Sequence, residues 1–148
     1  MTLAMSKTER EAFLEEIHVA IISIPETGRG PLTVPVWYSY DPGGEFHIWT
    51  GGDSRKAFLL RKANRISICV HQEIAPYKYV SVEGPVISMG PIHLDRELRP
   101  LVYRYLGKDE GAQFIERLGG EQAGTGDILV RMKPERWLTE DYSKQGSS

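Results

Sequence analysis

Residues 49–70 read WTGGDSRKAFLLRKANRISICV, and this stretch decides the fold because it joins a strand end, a glycine turn, a helix and a second strand. Ser54 is a favoured helix N-cap, so a helix is predicted that begins with Arg55 and Lys56. The β-branched run at the end of the stretch predicts a strand over residues 66–70. A short helix set between strands therefore presents two cations at its first turn.

The first turn of this helix carries an electrostatic conflict. The helix dipole places about half a positive charge there, so Arg55 and Lys56 are each unfavourable by about 0.3–1 kcal/mol. A bound phosphate would remove the conflict, and Gly51 and Gly52 would let the backbone approach it closely. Alternatively, this is a solvated helix start at which Asp53 balances one cation or is itself the cap. The spacing is not that of a P-loop.

Turn residues and alternating patterns predict the elements around this stretch. Asp41-Pro-Gly-Gly44 predicts a hairpin turn, Pro35 marks an edge strand or bulge, and Gly84-Pro85 marks a bend. Strands are predicted over 18–23, 33–40, 45–50, 66–70, 77–89 and 127–132, and helices from Ser6 and over 54–63, 94–105 and 109–118. Short strands with hairpin connections predict a mainly β fold, an antiparallel β-barrel with flanking helices.

Composition limits the possible functions. The chain has 148 residues and a formal charge of −2, which suits one domain and disfavours non-specific nucleic-acid binding. The single cysteine, Cys69, lies in an apolar run, and no zinc spacing or other metal-ligand pattern occurs. No apolar run reaches the ~20 residues of a membrane helix, and the N-terminal residues do not show the basic-then-apolar pattern of a signal peptide. We therefore expect one cytoplasmic domain over 1–148, with loose termini at 1–7 and 143–148.

Several segments in order resemble one known superfamily. They are Trp49–Lys56, Leu60–Arg65, Ile66–Val70, Pro35–Tyr38, Tyr77–Gly84 and Pro134–Trp137. Over residues 8–142 the chain resembles the pyridoxamine 5′-phosphate oxidase-like split barrels, in particular their actinobacterial branch of flavin- or deazaflavin-dependent reductases. The resemblance implies a six-stranded split β-barrel that forms a homodimer, with a cofactor groove at the subunit interface.

The resemblance also implies roles for individual residues. Lys56 matches the lysine that contacts the cofactor phosphate, with Ser54 and Arg55 beside it. The positions expected along the rest of the cofactor are Val36 and Trp37 at the ring system, Trp49, Thr50 and Gly51 beside the ribityl chain, and Gln72, Lys78 and Tyr79 where the partner subunit closes the groove.

Two cofactors fit these expectations. Coenzyme F-420, a deazaflavin with an acidic oligoglutamate tail, is favoured by the branch resemblance, and FMN is the alternative. Arg61, Lys62 and Arg65 either bind such a tail or form a solvated helix face. A third interpretation is a non-catalytic module that carries a cofactor or binds haem. The tail Trp137-Leu-Thr-Glu140 lacks the arginine and histidine with which the oxidase proper grips its substrate.

The expected chemistry is hydride transfer to a small, planar, apolar electrophile. The cofactor carries this chemistry and the protein orients the reactants, so no catalytic triad is expected and no catalytic residue is assigned. His71 is a candidate proton donor, and the other histidines are interpreted as structural or loop residues. Aromatic side chains form either the ring pocket or the barrel core and dimer interface: Trp37, Trp49, Tyr77, Tyr79 and Trp137.

Overall fold

A computed structural model describes residues 2–146 of the chain. The helices and strands follow in the order α1 (Lys7–Glu15), β1 (Ala20–Ile24), β2 (Leu32–Val36), β3 (Tyr38–Tyr40), β4 (Phe46–Gly51), α2 (Arg55–Lys62), β5 (Arg65–Gln72), β6 (Lys78–Pro91), α3 (Arg99–Leu106), α4 (Lys108–Arg117), β7 (Asp127–Met132) and β8 (Arg136–Asp141). A π-helical turn, Leu94–Leu98, leads into α3, and short 3₁₀ turns follow α4 and β8.

The strands form two antiparallel sheets that share β6. One sheet has the order β2-β1-β5-β6-β8, and the other has the order β6-β7-β4-β3. A bulge between Val86 and Ser88 marks the place where β6 passes from one sheet to the other. The predicted mainly β split barrel with flanking helices is confirmed.

Residues 2–146 contain eight strands, whereas six were predicted. The sequence predicted one strand over 33–40, but the chain divides at Trp37 because β2 pairs with β1 and β3 pairs with β4. This bent strand therefore links the two sheets on the side opposite β6. The segment 134–142, predicted only to wrap up the chain, contributes β8, which pairs with β6 over Lys78–Glu83.

Two apolar clusters lie on opposite sides of the second sheet. Tyr38, Phe46 and Ile48 are among the fully buried side chains of the barrel core. The second cluster lies between the outer face of that sheet and the helices, and contains Leu98, Val102, Ile115 and Leu129. The helical cap, residues 94–123, is thus held against the barrel by apolar burial, and Trp37 packs at its margin.

The two ends of the chain meet beside β8. The Asp141 amide donates to the Leu3 carbonyl at 2.8 Å, and the Met5 amide donates to Thr139 Oγ1 at 2.9 Å. Of the termini predicted to be loose, residues 1, 147 and 148 lie outside the described residues. No helix within residues 2–146 has both the length and the apolar character needed to cross a bilayer.

Candidate cofactor site

Ser54 caps helix α2 as the sequence predicted. Its Oγ accepts a hydrogen bond from the Ala57 amide at 3.1 Å and lies 2.7 Å from the Gly51 carbonyl, to which it donates. Thr50 Oγ1 lies 3.1 Å from the same hydroxyl, so the strand end and the helix start are tied together. As at any helix start, amides in the first turn have no helical acceptor.

The two cations of this first turn have different surroundings. Arg55 is exposed and forms an ion pair with Glu26 from the loop between β1 and β2. Lys56 is half-buried, and within residues 2–146 no carboxylate oxygen lies within 4.0 Å of its ammonium group. Lys56 is therefore the cation that remains for a ligand.

A groove of about 520 Å³ extends from Lys56 along the bent strand. Six of the residues predicted to contact a cofactor line it: Val36, Trp37, Trp49, Thr50, Gly51 and Lys56. Val19, Pro35 and Phe114 complete the lining. The lining is apolar apart from Thr50, the lysine and backbone groups, and its volume lies within the range of small-molecule sites.

Aromatic rings build much of the groove wall. The ring of Trp37 stacks on Tyr105 with centroids 4.8 Å apart and planes 5° from parallel. Phe114 and Trp49 lie at 5.9 and 6.4 Å from Trp37, both tilted. Trp49 Nε1 donates to Asp127 Oδ2 at 2.8 Å, which fixes the orientation of the second indole. The result is a rigid aromatic wall suited to a planar ligand.

Sequence patterns did not indicate three residues that line the groove, Val19, Pro35 and Phe114, or Tyr105, which stacks on Trp37. Pro35 and Val19 belong to segments whose strand patterns were recognised, and Tyr105 belongs to a recognised helix stripe. Phe114 lies on α4, beside positions that pack against α3. Because the helical cap and the barrel are distant in sequence and meet only in the folded chain, local patterns gave no sign that Phe114 lines the groove or that Tyr105 stacks on Trp37.

The remaining predicted residues lie elsewhere in a single chain. Gln72 faces Lys78 across β5 and β6, and Tyr79 faces His71. Gln72 Nε2 donates to the carbonyls of Ile74 and Pro76 at 2.9 and 2.8 Å, so it holds the turn between these strands. None of these residues lines the groove within the described part of the chain.

Three further predicted features also lie outside the groove. His71, the candidate proton donor, is exposed on the sheet surface. Tyr77 is exposed as well, on the turn that Gln72 holds. Trp137 packs against the barrel core near Tyr40 and lies under the Arg10 guanidinium, 3.8 Å from it.

The three cations considered for an acidic tail contact other parts of the protein. Arg61 Nη2 donates to the Gly52 carbonyl at 2.8 Å, which braces the glycine turn. The Lys62 ammonium lies over the Phe58 ring at 4.3 Å. Arg65 pairs with Glu83 on the neighbouring strand β6 and with Glu135, the residue before β8. Within residues 2–146, no three His, Cys, Asp or Glu side chains are arranged to hold a metal ion.

An apolar sheet surface adjoins the groove. On the outer face of the first sheet, the strand register aligns Pro35, Ile21, Cys69, Ser81 and Leu138 in one row. Pro35 also lines the groove, and the Leu138 side chain at the far end is 60% exposed. Burial raises the pKa of the Cys69 thiol, as expected for a thiol among apolar neighbours.

Solved structures of similar shape are numerous. A conserved hypothetical protein from Mycobacterium tuberculosis superposes with a TM-score of 0.78 at 23% identity, over 99% of this chain and 91% of its own. A provisionally assigned pyridoxamine 5′-phosphate oxidase from Listeria innocua gives 0.67 at 10% identity, over 90% and 96%. An F-420 reductase gives 0.61 at 14% identity, over 86% and 94%.

The chain has the split-barrel fold of the pyridoxamine 5′-phosphate oxidase-like proteins. Another protein of this fold, from Mycobacterium smegmatis, binds FAD and haem (TM-score 0.65, 15% identity, 92% of this chain and 71% of that one). No protein-family model and no curated protein matches the sequence. The split barrel therefore occurs with flavin, deazaflavin and haem ligands.

Proposed function

We propose that this split-barrel protein is a cytoplasmic oxidoreductase that binds coenzyme F-420 and directs its hydride to a small, planar, apolar electrophile. One observation carries the proposal: an aromatic groove is lined by Lys56, a lysine at a helix start that has no carboxylate partner among residues 2–146. A ligand that carries an anionic group beside Lys56 and a planar group beside Trp37 would match both parts of the groove.

The phosphate end fits the residues present. A phosphate beside Lys56 receives a charge-assisted hydrogen bond from the ammonium group and lies in the positive field of helix α2. Ser54 holds the turn that positions the lysine, and Arg55 adds a second positive charge nearby, although Glu26 partly neutralises it. Gly51 lines the groove and presents no side chain to a ligand.

The aromatic end defines how the chain would act on a substrate. When bound, the cofactor supplies the hydride, and the chain supplies orientation and exclusion of water. Trp37, Trp49 and Phe114 offer flat apolar surfaces on which planar molecules stack. No titratable side chain other than Lys56 lines the groove within the described residues, so any substrate proton comes from solvent or from a second subunit.

A homodimer is part of the proposal. The apolar row that runs from Pro35 to Leu138 supports it, because that surface is continuous with the open side of the groove. A second copy on this surface would bury Leu138 and Cys69. In such a dimer, Gln72, Lys78 and Tyr79 of one subunit would approach the groove of the other.

FMN is the second candidate, and one observation favours it over coenzyme F-420. Arg61, Lys62 and Arg65 contact the glycine turn, Phe58 and two glutamates, respectively. An acidic oligoglutamate tail would have to compete with these contacts, whereas FMN has no such tail. An FMN enzyme would use the same groove, the same phosphate contact and the same ring wall.

Parallel titrations of the purified protein with FMN and coenzyme F-420 test the proposal. Tighter binding of F-420, followed by its oxidation in the presence of a quinone or unsaturated ketone, supports the main proposal. A yellow protein that retains FMN supports the second candidate. Tight binding of either cofactor without turnover of any electrophile argues for a carrier, and failure to bind both contradicts the cofactor assignment.

A further inference from the structure

The barrel opens at one place between β1 and the bent strand. Pairing between β1 and β2 ends at Ala20 opposite Val36. If the ladder continued, Val19 would face Trp37 and His18 would face Tyr38. Instead, β3 turns away to pair with β4, and both Val19 and Trp37 line the groove. The groove therefore begins where this ladder stops.

The hydroxyl of Tyr105, from helix α3, lies at this opening. It accepts a hydrogen bond from the Tyr38 amide at 3.0 Å and donates to the His18 carbonyl at 2.7 Å. The Tyr38 carbonyl lies within 3.2 Å of the same oxygen. The Tyr105 hydroxyl thus lies between the Tyr38 amide and the His18 carbonyl, two groups that a continued ladder would bring together. It forms a hydrogen bond with each of them.

The ring of Tyr105 supports Trp37 at the same time. The two rings are stacked nearly parallel, 4.8 Å between centroids, so one face of the indole is covered by α3. Burial raises the pKa of Tyr105, so the hydroxyl keeps the proton that it donates to His18. One side chain therefore holds the strands apart and fixes the aromatic wall of the groove.

We propose that Tyr105 is a positioning residue for the planar part of the ligand. Its hydroxyl acts as a wedge that keeps β1 and β3 apart, and its ring sets the orientation in which Trp37 meets the ligand. This inference rests on the proposed function, since it assigns the ring system to the Trp37 end of the groove. It makes helix α3 a determinant of ligand binding, because Tyr105 supports Trp37 from behind the groove wall.

The test compares Tyr105→Phe with Tyr103→Phe. Both variants remove a phenolic hydroxyl from α3, but that of Tyr103 accepts a hydrogen bond from Arg99 at 3.4 Å and, within residues 2–146, forms none with a strand. In Tyr105→Phe we expect affinity for FMN or coenzyme F-420 to fall about three- to tenfold, because binding would then have to order groove residues that the Tyr105 hydroxyl holds in place in the wild type. The Trp37 indole and Tyr38 amide resonances should shift without any cofactor. Tyr103→Phe should leave both readouts unchanged.

The outcomes separate this inference from the proposed function. Wild-type affinity in Tyr105→Phe, in a protein that melts cooperatively, would overturn the positioning role, as would a Trp37 resonance that does not move. If the wild-type protein binds neither cofactor, the proposed function fails. The structural role of the Tyr105 hydroxyl is then tested by the Trp37 and Tyr38 resonances measured without cofactor. Tyr105→Leu, which also removes the stacked ring, should weaken binding further than Tyr105→Phe; equal affinity of the two would contradict the role of the ring.

Discussion

Arg55, at the first position of helix α2, forms an ion pair with Glu26 from the loop between β1 and β2. Part of the repulsion at this helix start is therefore relieved within the protein itself. Lys56, the next residue, has no such carboxylate among the described residues and faces the groove. The two neighbouring cations consequently have different expected contributions to ligand binding.

Lys56→Ala should weaken cofactor binding by about 1.5–3 kcal/mol, the range for hydrogen bonds to charged groups. Isothermal titration or fluorescence quenching would measure the change. Lys62→Ala is the matched control, since it removes the same charge from the other end of α2, where Lys62 lies over Phe58. Equal losses in the two variants would show that the effect comes from general charge and not from a phosphate contact.

Arg55→Ala should have a smaller effect on cofactor binding than Lys56→Ala, because Glu26 already neutralises much of the arginine charge. The Arg55 side chain is 51% exposed, so loss of its ion pair should cost less than about 1 kcal/mol of folding stability. Binding and chemical denaturation of the same samples would check both statements. An affinity loss as large as that of Lys56→Ala would mean that Arg55 leaves Glu26 to contact the ligand.

Gly52→Ala should destabilise the protein by about 1–3 kcal/mol, the usual cost of overpacking. A Cβ atom on Gly52 would lie 2.0 Å from the Gly126 carbonyl oxygen, so the turn before α2 or the strand start beside it has to move. Gly30→Ala is a suitable control because no atom lies within 4 Å of its Cβ position. Thermal melts of both variants would test this, and similar melting temperatures would refute it.

Leu138→Lys should convert the proposed dimer into monomers. A lysine at this position would place a charge at the far end of the apolar row, on the surface that a second copy is proposed to cover. Sedimentation velocity would give the mass in solution, and cofactor affinity should fall with dimer content. Leu118→Lys, at the end of α4, also alters an exposed leucine and should leave the mass unchanged. A wild-type monomer would rule out this part of the proposal.

Acid should remove a contribution that Glu9 makes to stability. Hydrogen bonds from Lys144 and from Ser6 lower the pKa of Glu9 from 4.5 to about 2. The folded state therefore favours the carboxylate, and this stabilisation is present above the unfolded pKa and is lost as the pH falls toward about 2. Glu9→Gln should melt lower than the wild type at neutral pH, and the difference should shrink in acid. A constant difference would show that the charge is unimportant.

Sequence patterns predicted the features that depend on interactions between residues close in sequence, such as helix caps and turns. Ser54 caps α2 because its hydroxyl reaches an amide three residues away, and the turn at Asp41–Gly44 is closed by a local hydrogen bond from the Gly44 amide to the Asp41 carbonyl. The division of one strand at Trp37 was not predictable in this way, because it depends on which distant strand each half pairs with. The same holds for Phe114, whose place in the groove depends on how the helical cap packs on the barrel.

The charged residues show a related limit. The sequence indicated cations beside the helix start, and the structure confirms that they cluster there. The sequence could not indicate that Glu26 pairs with Arg55, because these residues are brought together by the loop that precedes β2. The resemblance to split barrels supplied the positions of Val36 and Trp37, which no local pattern distinguishes from ordinary strand residues.

The bent strand at Trp37 has a consequence for how this architecture acquires new ligands. A strand that leaves one sheet for another creates a recess at the crossing, whatever side chains it carries. The same strand crossing therefore closes the barrel and forms the groove. The groove does not depend on which ligand the protein binds. Substitutions at Val19, Trp37 or Phe114 can alter chemical preference without rebuilding the scaffold, which offers a physical reason why proteins of this shape carry flavin, deazaflavin or haem.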